Sequence, residues 1–169
     1  MNLKILPIVL LISFLFFGQT SKASNQVNNT IDSIIVLKSQ RLMLLMKEGE
    51  IAKSYRISLG KNPIGNKTTE GDKKTPEGLY YIEYKKSDSK FYKALKISYP
   101  NEQDRQRSAS LGVPPGGLIM IHGLPNDMKS IGKFHRRIDW TDGCIAVTNE
   151  EIDEIWDMVP IGIPVYISP

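Results

Sequence analysis

Cysteine is almost missing from this chain of 169 residues: Cys144 is the only one, and only two histidines accompany it. A lone cysteine excludes an internal disulfide and leaves a buried small hydrophobe, an intermolecular link or a reactive thiol. One cysteine and two histidines at these spacings do not make a zinc site, so no metal or other cofactor is implied. A formal net charge of +4 is too small to argue for a nucleic-acid partner, although weak attraction to an anionic envelope polymer stays open. No low-complexity tract or internal repeat is present.

Long apolar runs are equally scarce. The one at Ile5 to Phe17 follows Lys4, is broken by Pro7 and is short for a membrane-spanning helix. Ser21-Lys22-Ala23 offers a small-x-small cleavage site, so residues 1–23 read as a secretory signal peptide, with an uncleaved anchor as the alternative. No cysteine follows the run, which excludes a lipoprotein anchor. Cleavage there leaves one domain's worth of chain: a disordered Asn- and Ser-rich lead-in over 24–31, then a single domain over 32–169.

The mature part is rich in strand patterns. Ile34 to Leu37 and Leu42 to Met46 are apolar runs, and Lys47 to Glu50 holds the glycine of a hairpin turn. A third strand places Ile51, Tyr55, Ile57 and Leu59 on one face. Gly60 to Lys74 is a polar loop of a length that more often serves a site than merely connects. Leu79 to Tyr84 and Phe91 to Tyr99 read as strands around a solvated turn at Lys85 to Lys90, and Asn101 to Ser110 as a loop or short surface helix. Thr148-Asn149-Glu150-Glu151 is a capping box opening a helix with Ile152, Ile155, Trp156 and Val159 on its apolar stripe, and Ile163 to Ile167 returns as a strand. These elements predict a mainly β domain with one or two helices, an antiparallel sandwich or barrel-like arrangement.

The candidate chemistry lies in two segments. Leu118 to Ile121 reads as a buried strand delivering His122 and Gly123 to its end, and Trp140-Thr141-Asp142-Gly143-Cys144 leads into the alternating Ile145 and Val147. Gly143 lets the backbone turn and leaves the thiol uncovered. Cys144 is the candidate nucleophile, with a structural cysteine as the alternative. His122 is the candidate base, or else a satisfied core residue; His135 is its rival, in a basic segment that suggests a surface histidine. Gly143 and Cys144 offer backbone amides for an oxyanion. A carboxylate at Asp142 close to the sulfur would raise its pKa, so it is expected to point away. Thr141 is a turn residue or a hydrogen-bonding partner of the loop or substrate, and Arg136 and Arg137 are solvated or meet a substrate carboxylate.

Ile121-His122-Gly123 followed by Thr141-Asp142-Gly143-Cys144, with Thr75-Pro76-Glu77-Gly78 and Tyr55 to Gly60 before them, resembles the L,D-transpeptidase catalytic domain of the YkuD type. Asp142 stands where that signature has its second histidine, and Ala146 where many relatives carry asparagine or arginine. The resemblance implies a periplasmic or cell-wall-associated enzyme of peptidoglycan, wall organisation and cell shape. It implies that Cys144 takes the acyl group of a stem peptide as a thioester and passes it to an amine, with Thr141, Asp142, Gly123, His135, Arg136 and Arg137 as substrate contacts. Stem peptides are the expected partners, an envelope protein is a further candidate acceptor, and carbapenems are expected covalent inhibitors. Two other readings stand beside it: a hydrolase that trims stems or releases an envelope protein with the same site, and an inactive wall-binding module.

Overall fold

The computed structural model describes residues 30–169, so the expected signal peptide and most of the lead-in lie outside the described residues. Ile31, assigned above to the lead-in, already belongs to the core: it is buried, and its N–H donates to Met158 O at 3.0 Å.

Among the described residues, eight strands form one mixed sheet: β1 Ser33–Leu37, β2 Leu42–Lys47, β3 Glu50–Arg56, β4 Gly78–Ser89, β5 Tyr92–Ile97, β6 Met120–His122, β7 Ile145–Ala146 and β8 Pro164–Ser168, ordered β3-β2-β1-β8-β4-β5-β6-β7. The β2–β3 hairpin turns through Glu48 and Gly49, both at positive φ, as a two-residue turn between twisted strands requires. Most pairings are antiparallel, but β1 with β8 and β6 with β7 are parallel. The sheet nearly closes on itself. Beyond β3 the chain continues to Ser58, which exchanges backbone hydrogen bonds with Ala146 of β7 at 3.0 and 2.9 Å, joining the two edges. Closure removes the exposed strand edges that an open sheet would present.

The core is one apolar cluster, with Ile34, Leu45, Ile82, Leu95, Ile121, Ile145 and Ile167 contributed by the strands. Helix α2, Asn149–Met158, seals it with Ile152 and Ile155, and starts at the Thr148 capping box, where Thr148 accepts from Glu151 N. Full burial of each such side chain stabilises the fold by about 1.5–3 kcal/mol. Trp156 is only partly buried and packs on the edge of this cluster.

Two local expectations change, and one left open between loop and helix is resolved. Lys85 to Lys90 is not simply a turn: β4 runs on to Ser89, paired with β5, because the hairpin arm projects beyond the core with polar residues that water tolerates on the strand. Ile51 is 59% exposed, since a bulge opposite Leu45 and Met46 breaks the alternation of β3. Asn101 to Ser110 resolves as helix α1, Glu102–Ser110, held by a second capping box between Asn101 and Asp104. Asp104 is buried and accepts from the Tyr80 hydroxyl at 3.0 Å.

Candidate active site

Parallel pairing of β6 with β7 sets Ile121 beside Ile145 and His122 beside Ala146, so the residue just before β7, Cys144, is delivered next to the strand that carries His122. Both isoleucines are fully buried, which fixes the two backbones. Phe91, His122, Trp140, Thr141, Asp142 and Cys144 line one cleft of about 190 Å³.

His122 is held on all sides. Its carbonyl accepts from Val147 N at 3.0 Å, and the next amide, Gly123 N, donates to Lys93 O at 3.2 Å. The ring stacks on Phe91 at 4.4 Å between centroids and meets Trp140 edge-on at 5.8 Å. Nδ1 lies 2.7 Å from Gly123 O. A carbonyl only accepts, so Nδ1 carries the proton and Nε2 keeps the lone pair. Burial pulls the imidazole pKa down to about 4, with the Gly123 bond opposing and the His135 charge assisting. At neutral pH this ring is therefore uncharged. Gly123 acts through the ring it supports and has no room for a side chain: a Cβ there would sit 2.6 Å from Asn149 Oδ1.

Cys144 is half-buried, and its Sγ approaches Leu118 O at 3.5 Å. Burial raises the thiol pKa above its ordinary value. A backbone hydrogen bond at Met120 opposes this, Asp142 adds to it, and Lys67 and Lys96 oppose it more weakly. The nucleophile loop is built by Thr141. Its buried hydroxyl donates to Cys144 O at 2.8 Å and accepts from Gly143 N at 3.1 Å. The Thr141 hydroxyl is thus turned into the loop, although the residue borders the cleft, and the Gly143 amide is already engaged. Asp142 borders the cleft with its side chain 78% exposed and paired with Lys61 at 3.2 Å.

Gly143 occupies a backbone conformation, φ +128°, that L side chains rarely adopt, and a Cβ there would lie 2.6 Å from Lys74 O. Gly143→Ala is expected to destabilise the protein by ~2 kcal/mol or more and to displace the thiol, seen as a lowered denaturant midpoint together with slowed thiol acylation.

The other motifs converge on this loop. Gly60 N donates to Thr75 Oγ1 at 3.1 Å, while Thr141 N and Lys61 N pair with Leu59 O and Thr141 O at 3.1 and 2.9 Å. Buried Lys38 secures the Thr75 turn through Thr75 O at 2.9 Å and Glu77 at 2.7 Å.

His135 is not the surface histidine its basic neighbours suggest. It lies in a 3-10 segment, Lys129–Arg137, and is only 3% exposed, with Nδ1 3.2 Å from Ser58 Oγ and 3.4 Å from Trp140 Nε1. It lines a neighbouring apolar cavity with Met128, Ile131, Phe134 and Trp140 and does not line the thiol cleft. Burial, aided by Arg136, also brings its pKa to about 4. Arg136 is committed to an ion pair with Glu151, and Arg137 is exposed, stacked on Phe134 at 4.8 Å. Phe91 and Trp140, which frame the imidazole, were not singled out from sequence. Trp140 abuts the nucleophile motif and carried that signal; Phe91 is brought in by pairing of distant strands.

Two buried neutral histidines make stability depend on pH. Each binds its proton in the unfolded chain at 6.5 but in the folded chain only near 4. Their stabilising contribution is therefore complete above pH 6.5 and is lost as the pH falls towards 4, where the unfolded state takes up protons first. For His122 the loss is on the order of 3 kcal/mol. Urea midpoints should fall over this window in the wild type and fall less in His122→Gln; a flat profile would contradict the shifts.

A mainly β domain thus brings a thiol and an uncharged imidazole to one cleft. The chain is a member of the L,D-transpeptidase catalytic domain (YkuD) family, whose model matches residues 31–167. YafK of Escherichia coli strain K12, provisionally named an L,D-transpeptidase, is 36% identical over 142 residues, covering 80% of this chain and 50% of YafK. The chain thus spans about half the length of that relative. The structure of Pgp2 from Campylobacter jejuni, described as a helical cell shape determining protein, superposes with a TM-score of 0.62 at 26% identity, covering 82% of this chain and 47% of Pgp2. LdtMt1, solved in complex with imipenem, shares the fold at a TM-score of 0.51 and 16% identity, covering 80% of this chain and 58% of its own.

Proposed function

We propose that the protein is an exported L,D-transpeptidase that acts through a Cys144 thioester on peptidoglycan stem peptides. The observation that carries this reading is the shared cleft of Cys144 and His122, with Nδ1 tied to Gly123 O so that Nε2 is the free base. Thiol and imidazole are both neutral at rest, one pKa raised and the other lowered. Proton transfer then accompanies attack and does not precede it. The Cys144 proton passes to His122 Nε2 as Sγ bonds to the carbonyl carbon between the diamino acid and the terminal D-alanine. Charge on the carbonyl oxygen is met by Cys144 N–H. The tetrahedral intermediate expels the D-alanine amine, which takes the proton from His122, and a thioester remains. An acceptor amine from a second stem attacks in turn, giving its proton to His122, and the thiolate leaves to recover it.

Export rests on the Lys4 to Ala23 pattern, and a place in the periplasm or wall follows from it. A role in cell shape is supported by the likeness to Pgp2, and covalent inhibition by carbapenems by the imipenem complex of LdtMt1. An envelope-protein acceptor and simple hydrolysis use the same thioester. Incubating the enzyme with a stem tetrapeptide, with and without an amine acceptor, tests the reading. D-alanine release with a crosslinked product supports transpeptidation; release with only the shortened stem, acceptor present, makes the enzyme a carboxypeptidase. Absence of release from any stem overturns it.

A further inference from the structure

The apolar cavity beyond Trp140, about 420 Å³ between Met128, Ile131, Phe134 and Ile138, has no part in the thiol chemistry. The stretch that walls it carries two interleaved patterns. Apolar residues fall at 128, 131, 134 and 138, and cations at 129, 133 and 137. Met128 is exposed, and Phe134 and Ile138 are left 67% and 68% exposed. Single apolar side chains scattered over a surface need no explanation, but three gathered on one short stretch mark an interaction surface.

The cations are as uncommitted as the apolar groups. Arg136 is spent on Glu151, but among the described residues Lys129, Lys133 and Arg137 form no ion pair. Asp127 is the only acid from 127 to 138. The backbone beneath is held, with His135 buried between Ser58 and Trp140 and Arg136 tied to helix α2, so the exposed side chains project from a fixed frame. The Arg137 guanidinium lies on the Phe134 ring at 4.8 Å, so one apolar and one cationic group are presented together.

This pairing selects the occupant. A wholly polar polyanion would satisfy the cations and leave Phe134 and Ile138 in water, while an uncharged apolar partner would strand the cations. A layer of anionic headgroups over acyl chains suits both, because amphipathic cations keep their heads among phosphates while neighbouring apolar side chains enter the chains below.

We propose that residues 128–138 dock on an anionic phospholipid bilayer. Met128, Phe134 and Ile138 enter the boundary between headgroups and acyl chains, and Lys129, Lys133 and Arg137 meet lipid phosphates. Trp140 lines both this cavity and the thiol cleft, so docking holds Cys144 close to the membrane surface. The inference does not depend on the peptidoglycan reading.

The test is amide hydrogen exchange of residues 128–138 in the full chain, with helix α2 as the internal reference. The chain is mixed with nanodiscs of phosphatidylcholine alone or of phosphatidylcholine with phosphatidylglycerol. At low salt the anionic discs should slow exchange in the segment about tenfold relative to the neutral ones, since each cation near an anionic surface contributes about a fivefold change in binding. High salt should remove the difference. Phe134→Ala and the double variant Lys129→Gln/Lys133→Gln should both lose most of the protection, while Arg105→Gln, which removes a cation from helix α1, keeps it. Unchanged exchange in helix α2 shows that each variant is folded. Equal exchange on the two kinds of disc, or full protection retained in Phe134→Ala, overturns the proposal. Protection that arises without lipid and grows with protein concentration assigns the patch to a second copy of the chain and overturns it as well.

Discussion

Cys144→Ala abolishes acyl-enzyme formation and leaves the unfolding midpoint close to that of the wild type: this is the result expected of the largest chemical change the site allows. The thiol is half-buried, and its hydrogen bonding is to backbone alone, a weak contact with Leu118 O at 3.5 Å and one at Met120. The loop that holds it is maintained by Thr141, whose hydroxyl bonds to backbone atoms that alanine retains. Removing the sulfur therefore takes away the nucleophile without opening the core formed by Ile121 and Ile145. A loss of several kcal/mol, in the range of truncated core residues, would show that Cys144 is structural. Thermal or urea unfolding beside an acylation assay separates the outcomes.

His122→Gln should slow acylation on the order of a hundredfold or more, the usual effect of removing a positioned base. The glutamine amide still bonds Gly123 O but cannot take the thiol proton. His135→Gln is the comparison. That residue lies outside the thiol cleft and ties Ser58 to Trp140, so its loss should lower stability by about 1–3 kcal/mol while acylation falls much less. Because His122 stays neutral down to about pH 4, the wild-type acylation rate should persist through mildly acidic conditions and fall only as the pH approaches that value. The opposite pattern, rapid acylation by His122→Gln at neutral pH beside a crippled His135→Gln, would make His135 the base.

What the sequence discloses here is what is local. The Thr148 capping box and the stripe after it foretell helix α2 because caps and i, i+4 spacing act within a few residues. Helix α1 has no apolar stripe, so only its Asn101 and Asp104 box marks it, a weaker signal in a charged run. The parallel neighbours β1–β8 and β6–β7 join segments far apart in the chain, and no local pattern records them. Lys85 to Lys90 looks like a loop by composition, yet a hairpin arm that is mostly exposed needs no apolar alternation.

The site divides in the same way. Cys144, Gly143 and His122 are marked by residue type and neighbours, but the apolar run before His122 overstates its strand, which begins only at Met120 and leaves Leu118 exposed at positive φ. Burial of His135 is hidden by Lys133, Arg136 and Arg137, since Arg136 turns to Glu151 and Arg137 to Phe134. Thr141 is a familiar turn residue, but its double hydrogen bond to Cys144 O and Gly143 N appears only in three dimensions. Lys61 gives no hint of its place beside Asp142, because the loop between Gly60 and Lys74 must first fold back on itself.

The most direct test of the central claim is the intact mass of the protein after a brief incubation with a stem tetrapeptide, followed by peptide mapping. The account predicts a mass increase equal to the tetrapeptide less D-alanine, located on Cys144, sensitive to hydroxylamine as a thioester is, and absent from Cys144→Ala. An unmodified wild-type mass under conditions where D-alanine is released, or an adduct on any other residue, would contradict it.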